Sequence, residues 1–98
     1  MDDKNNVTDP IIKLDAASVQ KKIAAGQLEQ ALSELQLVLD NESNNPEANY
    51  MAAVAYRYQK NYKKAQQHLN ELKDLAVDKG RFFQEQGHLY RAQSLSSL

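Results

Sequence analysis

Cysteine is absent from the chain, which excludes a disulfide framework and every thiolate metal site and fits a reducing compartment. Tryptophan is absent as well, and three glycines are too few to build a phosphate loop or a Gly-x-Ser-x-Gly elbow. Neither sign of charge dominates. Twelve Lys and Arg against 13 Asp and Glu leave a net charge of −1, whereas nucleic-acid and acidic-membrane binders carry a one-signed excess that releases counterions. No run approaches the roughly 20 apolar residues that span a bilayer. The amino terminus, Met1-Asp2-Asp3-Lys4-Asn5-Asn6, shows no signal-peptide pattern, so a cytoplasmic location is expected. The 98 residues suffice for one small core but not for a catalytic domain with a separate substrate domain.

What the chain does have is helical periodicity. Residues 1–9 are polar and are expected to fray. Asp9-Pro10 offers an N-cap acceptor followed by the residue best tolerated at the first helical position, and predicts a helix over about 10–25 with Ile11, Leu14, Ala17, Val19 and Ile23 as its stripe. Gly26 supplies a left-handed stop. Leu28, Ala31, Leu32, Leu35, Val38 and Leu39 then share one face of a second helix ending near Asp40. The run from Asp40 to Asn45 competes with the backbone for hydrogen bonds and reads as a linker. Asn45-Pro46 opens a third helix to about Gln59, with Ala48, Met51, Ala52, Ala55 and Tyr56 as its apolar positions. Asn61 caps a fourth helix, whose stripe is Tyr62, Ala65, Leu69, Leu72 and Ala76. Asp78-Lys79-Gly80 is expected to break it before a fifth helix that carries Phe82, Phe83, Leu89, Tyr90 and Ala92 to about Ser94.

These landmarks repeat. Leu28, Ala31 and Leu35 precede Tyr62, Ala65 and Leu69 by 34 residues each. With Tyr56 at a first-helix tyrosine, Ala65 at a helix crossing and Leu69 at a later large position, the chain resembles the tetratricopeptide repeat (TPR) family, whose units follow a W-x2-L-G-x2-Y…A-x3-F…P pattern. Gly26, Leu28, Ala31 and Leu35 fit the turn and second helix of one repeat, and Phe83, Gly87 and Tyr90 fit the first-helix line of another. The resemblance covers residues 12–93. Asn49 and Ala53 depart from the aromatic and the glycine of the middle repeat, no proline ends either second helix, and Ser18 and Lys22 fit the opening helix so poorly that it is expected to act as a cap. An ordinary five-helix bundle is the competing fold, but periodicity alone does not align turn, small and large positions together.

The resemblance implies an all-α, right-handed superhelix of helical hairpins in a single domain over residues 10–98, with repeats over 12–45 and 46–79 and a half repeat over 80–98. Stacked hairpins present a concave surface lined by the first helix of each repeat. The family's groove places fall on Glu47, Tyr50, Met51, Val54, Arg57 and Tyr58, then on Arg81, Gln84, Glu85, His88, Arg91 and Ala92. The resemblance therefore implies a non-catalytic module that binds a protein or peptide, with Tyr50, Met51, Val54, Arg57, Tyr58, Arg81, Gln84, His88 and Arg91 as the candidate contacts. Aromatic, thioether and guanidinium groups suit a segment with apolar anchors and some negative charge. Packing between neighbouring helices is the competing role for Tyr50, Val54 and Tyr58. The chaperone-binding subclass clamps a terminal carboxylate with Lys, Asn, Asn, Lys and Arg. The matching positions here are Ala16, Gln20, Met51, Arg81 and Glu85, and Glu85 would repel that ligand.

Other chemistry is weakly represented. His68 and His88 stand 20 residues apart on different predicted helices, with no His-x3-His or Glu-x2-His arrangement, so neither a metal nor another cofactor is expected. The stretch 40–51 fails as a calcium loop, because Asn45 stands where glycine is needed and Met51 where glutamate is. Arg57, Lys60, Lys63 and Lys64 read as a solvated turn. The half repeat is expected to leave an apolar edge at Phe83, Leu89 and Tyr90. Three readings of it stay open: a native cap, a homodimer through this edge, or the amino-terminal, accessory part of a longer enzyme. Residues 80–88 are similar to the late repeat that precedes a sulfotransferase domain in some bacterial chains.

Overall fold

The computed structural model describes residues 13–75 and 79–96, and among them it contains five helices and no strand. These are α1 (Ala16–Ala24), α2 (Leu28–Asn41), α3 (Pro46–Tyr58), α4 (Tyr62–Asp74) and α5 (Lys79–Ser96). The architecture is the expected all-α helical repeat. Asn45 accepts from the Ala48 amide at 2.9 Å and Pro46 takes the first helical position, so α3 begins where its sequence predicts. Asn61 caps α4 in the same way, through the Lys64 amide.

Two boundaries differ from the sequence reading. Residues 13–15 are not helical, and α1 starts only at Ala16 because the Asp15 side chain accepts from the Ser18 amide at 3.1 Å. The Asp9-Pro10 start and Ile11 lie outside the described residues. At the other end, α4 stops at Asp74, while Lys79 and Gly80 belong to the first turn of α5. Ala76 and Asp78 lie outside the described residues.

The 34-residue period is visible in the backbone. Among the described residues, Gly26 and Lys60 have positive φ, at 80° and 65°, and each sits just past the end of a first helix. The following amides reach back five residues in both turns, Gln27 to the Lys22 carbonyl at 2.8 Å and Asn61 to the Tyr56 carbonyl at 2.9 Å. With the bonds from the Gly26 amide to the Ile23 carbonyl at 3.1 Å and from the Lys60 amide to the Arg57 carbonyl at 2.9 Å, each helix end has the bond pattern of a Schellman cap.

Packing is organised by α3, which touches all four other helices, whereas α1 does not touch α5 and α2 does not touch α4. One apolar cluster joins Val19 and Ile23 of α1 and Ala31, Leu35, Val38 and Leu39 of α2 to Ala48, Met51, Ala52 and Ala55 of α3. A second joins Ala53 of α3 to Ala65, Leu69 and Leu72 of α4 and to Phe82 and Leu89 of α5. Alanine on three sides of α3 lets neighbours approach its backbone closely. The large side chains opposite, Leu35, Leu69 and Leu89, are sealed from solvent, and burying each contributes about 2 kcal/mol. Ala17, expected in the α1 stripe, faces solvent instead.

Candidate functional site

At 3.6 residues per turn, Glu47, Tyr50, Met51, Val54 and Tyr58 fall along one side of α3, and Asn49 and Tyr56 fall on the opposite side. Each side carries a concavity. The first is a pocket of about 240 Å³ bounded by α1 and α5, with α3 as its floor; it is lined by Gln20, Ile23 and Ala24, by the five α3 residues just named, and by Arg81.

The Arg81 guanidinium lies over the Tyr50 ring, 4.3 Å from its centroid, and forms an ion pair with Glu47. It thus bridges α3 and α5 at the rim. Burial pushes the Tyr50 phenol above its ordinary range, an effect that the Arg81 charge opposes. Tyr58, more than half exposed, stands near the Arg57 guanidinium at 4.7 Å and forms the other end of the rim.

Five of the nine predicted contacts meet here: Tyr50, Met51, Val54, Tyr58 and Arg81. Arg57 does not line the pocket. Its side chain, 16% exposed, pairs with Glu85, which is 2% exposed, through both Nε and Nη2, the latter at 3.2 Å. Burial by itself would lower the Arg57 pKa, but the bond and charge of Glu85 hold it above the ordinary value. Arg57 is therefore an internal tie between α3 and α5, and not part of the solvated basic turn expected with Lys60, Lys63 and Lys64, which are exposed. Glu85, expected in the groove, is buried in the same tie. Gln84 and Arg91 are exposed and His88 is half-buried, and none of the three lines the pocket. Leu89, placed by the sequence at an exposed edge, is fully buried in the second apolar cluster, so that edge consists of Phe83 and Tyr90.

The three α1 residues of the pocket were missed. Gln20, Ile23 and Ala24 precede Val54, Arg57 and Tyr58 by 34 residues, so the repeat register itself contained the signal. The poor match of Ser18 and Lys22 concealed it. Those two are not polar misfits, because Lys22 forms an ion pair with Glu34 of α2 and donates to Ser18 Oγ at 2.9 Å, fastening the first hairpin.

On the opposite side of α3, a polar cleft of about 730 Å³ separates α2 from α4 and is lined by residues that include Gln36, Asp40, Ser43, Asn49, His68 and Glu71. Asn49 is 1% exposed. Its Nδ2 donates to the Ser43 and Asn45 carbonyls, both at 3.0 Å, which fixes the amide so that Oδ1 faces His68 Nδ1 at 2.8 Å. An amide oxygen only accepts, so Nδ1 of His68 carries the proton. The neutral ring then presents Nε2 as an acceptor. Burial lowers the His68 pKa, the Glu71 charge opposes that, and the Lys64 charge adds to it. The ring also stacks on Tyr56, with centroids 5.5 Å apart. Among the described residues no three His, Asp or Glu side chains group as they would around a metal ion, and no helix is long and apolar enough to cross a membrane.

A family model described as tetratricopeptide repeat matches residues 22–93 of the chain. Searches of curated proteins and of solved structures return no match.

Proposed function

The chain belongs to the tetratricopeptide repeat family, and from that premise we propose that it is a non-catalytic interaction module that seats an apolar side chain of a partner protein or peptide in the pocket between α1, α3 and α5. Repeats of this family generally serve protein–protein interaction, and stacked hairpins expose their first helices as a binding surface. The observation that carries the reading is the pocket itself. Its floor and walls are Ile23, Ala24, Met51 and Val54, its rim is aromatic, and its charged groups come as the compensated pair Arg81 and Glu47.

Size decides between ligand classes. Small-molecule sites usually enclose about 300–1,000 Å³, and 240 Å³ holds a side-chain anchor better than a whole metabolite. Local charge refines the sequence expectation of an acidic ligand. Arg57 is committed to Glu85 and Arg81 to Glu47, so recognition rests on apolar fit and on the thioether and aromatic surfaces, which adapt to more than one anchor.

The test is selection of a displayed random peptide library on the folded chain, followed by affinity measurement of the enriched peptides on two proteins. Val54→Arg places a long cation inside the pocket and is expected to weaken binding by at least about tenfold, roughly 1.4 kcal/mol, with an unchanged helical spectrum. Enriched peptides that bind the Val54→Arg protein as tightly as the parent would overturn the assignment, as would a selection that enriches nothing. Arg57 is unsuitable for such a test because its loss would strand Glu85.

A further inference from the structure

Phe83 and Tyr90 are the most exposed aromatic side chains of the described residues, at 66% and 63%. They lie on one stripe of α5, and the same stripe carries Gly80, Gly87 and Ser94, so that the spacing runs three, four, three, four. This is the seam spacing of paired helices. Large and small residues alternate along it.

Among the described residues no neighbour crowds Gly87. Its backbone is helical, and a Cβ added there would meet nothing within 4 Å. A glycine in a helix interior costs about 1 kcal/mol relative to alanine. The repeat register identifies the face: Val19 and Ala53, at successive 34-residue steps before Gly87, are both fully buried beneath the second helix of their own hairpins. Likewise Asn49 and Tyr56, which precede Phe83 and Tyr90, are engaged by His68 of α4. The face of α5 that carries Phe83, Gly87 and Tyr90 is thus built to receive a helix, and none of the described residues covers it.

We propose that its occupant is α5 of a second copy of this chain, packed antiparallel in a two-fold dimer. The seam contains both knobs and gaps, which makes it complementary to itself. A two-fold axis level with residues 88 and 89 sets Tyr90 over the partner's Gly87 and Phe83 over the partner's Ser94, and each contact occurs twice, as an isologous interface requires. The flanking side chains agree. Arg91 meets the partner's Gln84 across the axis, so no like charges face each other, and a net charge of −1 per chain adds no bulk repulsion. The small residues let the two helices approach to the near end of the usual interaxial range, about 8 Å.

Sedimentation equilibrium of the full chain across a concentration series reads this directly. The mass is expected to rise from 11.1 kDa toward twice that value. Phe83→Ser combined with Tyr90→Ser is expected to hold the mass at the monomer, with an unchanged helical spectrum because both side chains are exposed. Gly87→Leu is the decisive variant. In the isolated chain it removes a helix-interior glycine without a clash, so resistance to urea at dilution should be equal or higher, while the filled gap weakens association by more than about tenfold. A parent chain that stays monomeric, a dimer that Gly87→Leu leaves intact, or growth beyond the dimer would each overturn the proposal.

Discussion

At the scale of single residues, the two buried polar groups among the described residues set the terms. Glu85 is an anion with almost no solvent, and Arg57 is its partner. Replacing such a pair by apolar groups of similar size is often neutral, whereas removing one member leaves an uncompensated charge. Arg57→Ala should therefore cost about 3–5 kcal/mol, measurable as a lowered urea midpoint, and Arg57→Met with Glu85→Leu should recover most of it. A single variant as stable as the parent would show that Glu85 finds another partner. The other buried polar group, Asn49, acts through His68. Because burial holds the His68 pKa below its ordinary 6.5, the folded state prefers the neutral ring. Its contribution is whole above the ordinary value and is lost as pH falls from 6.5 toward the depressed folded value. Unfolding free energy should thus decline as pH falls below 6.5, and His68→Gln should flatten that decline. A decline of equal slope in the variant would assign it to other groups.

Elements show where the sequence was legible and where it was not. The turns were the clearest: Gly26 announced the first and the Asn61 cap the second, because capping and left-handed geometry are local properties. Lys60 bears the αL strain that Gly26 avoids, so Lys60→Gly should raise stability by about 1 kcal/mol; an unchanged urea midpoint would mean that the side chain compensates. The start of α1 was misread because the Asp15 side chain, not considered as a cap in the sequence, accepts from the Ser18 amide. Glu85 was legible only as a residue in the groove, since its tie to Arg57 spans 28 residues and depends on how α5 crosses α3. Half of the pocket could be read from α3 because its six groove places recur at helical spacing. The α1 half required trust in the register despite polar residues that, in three dimensions, form an ion pair.

For the molecule as a whole, the period explains more than the outline. Equivalent places hold different chemistry: Lys22 and Glu34 fasten the first hairpin by charge, and Tyr56 and His68, 34 residues later, fasten the second by stacked rings. The fold conserves where helices are joined and varies how. Among the described residues it also makes α3 the bridge between the two halves, since α1 and α2 on one side and α4 and α5 on the other meet it, with no helix pair α1–α5 or α2–α4 in contact. Such an arrangement is a balance on a single fulcrum. Tilting one hairpin over α3 so that α1 nears α5 narrows the apolar pocket, and the same tilt carries α2 away from α4 and widens the polar cleft on the far side. In that geometry a ligand wedged into one aperture would change the width of the other in the opposite sense.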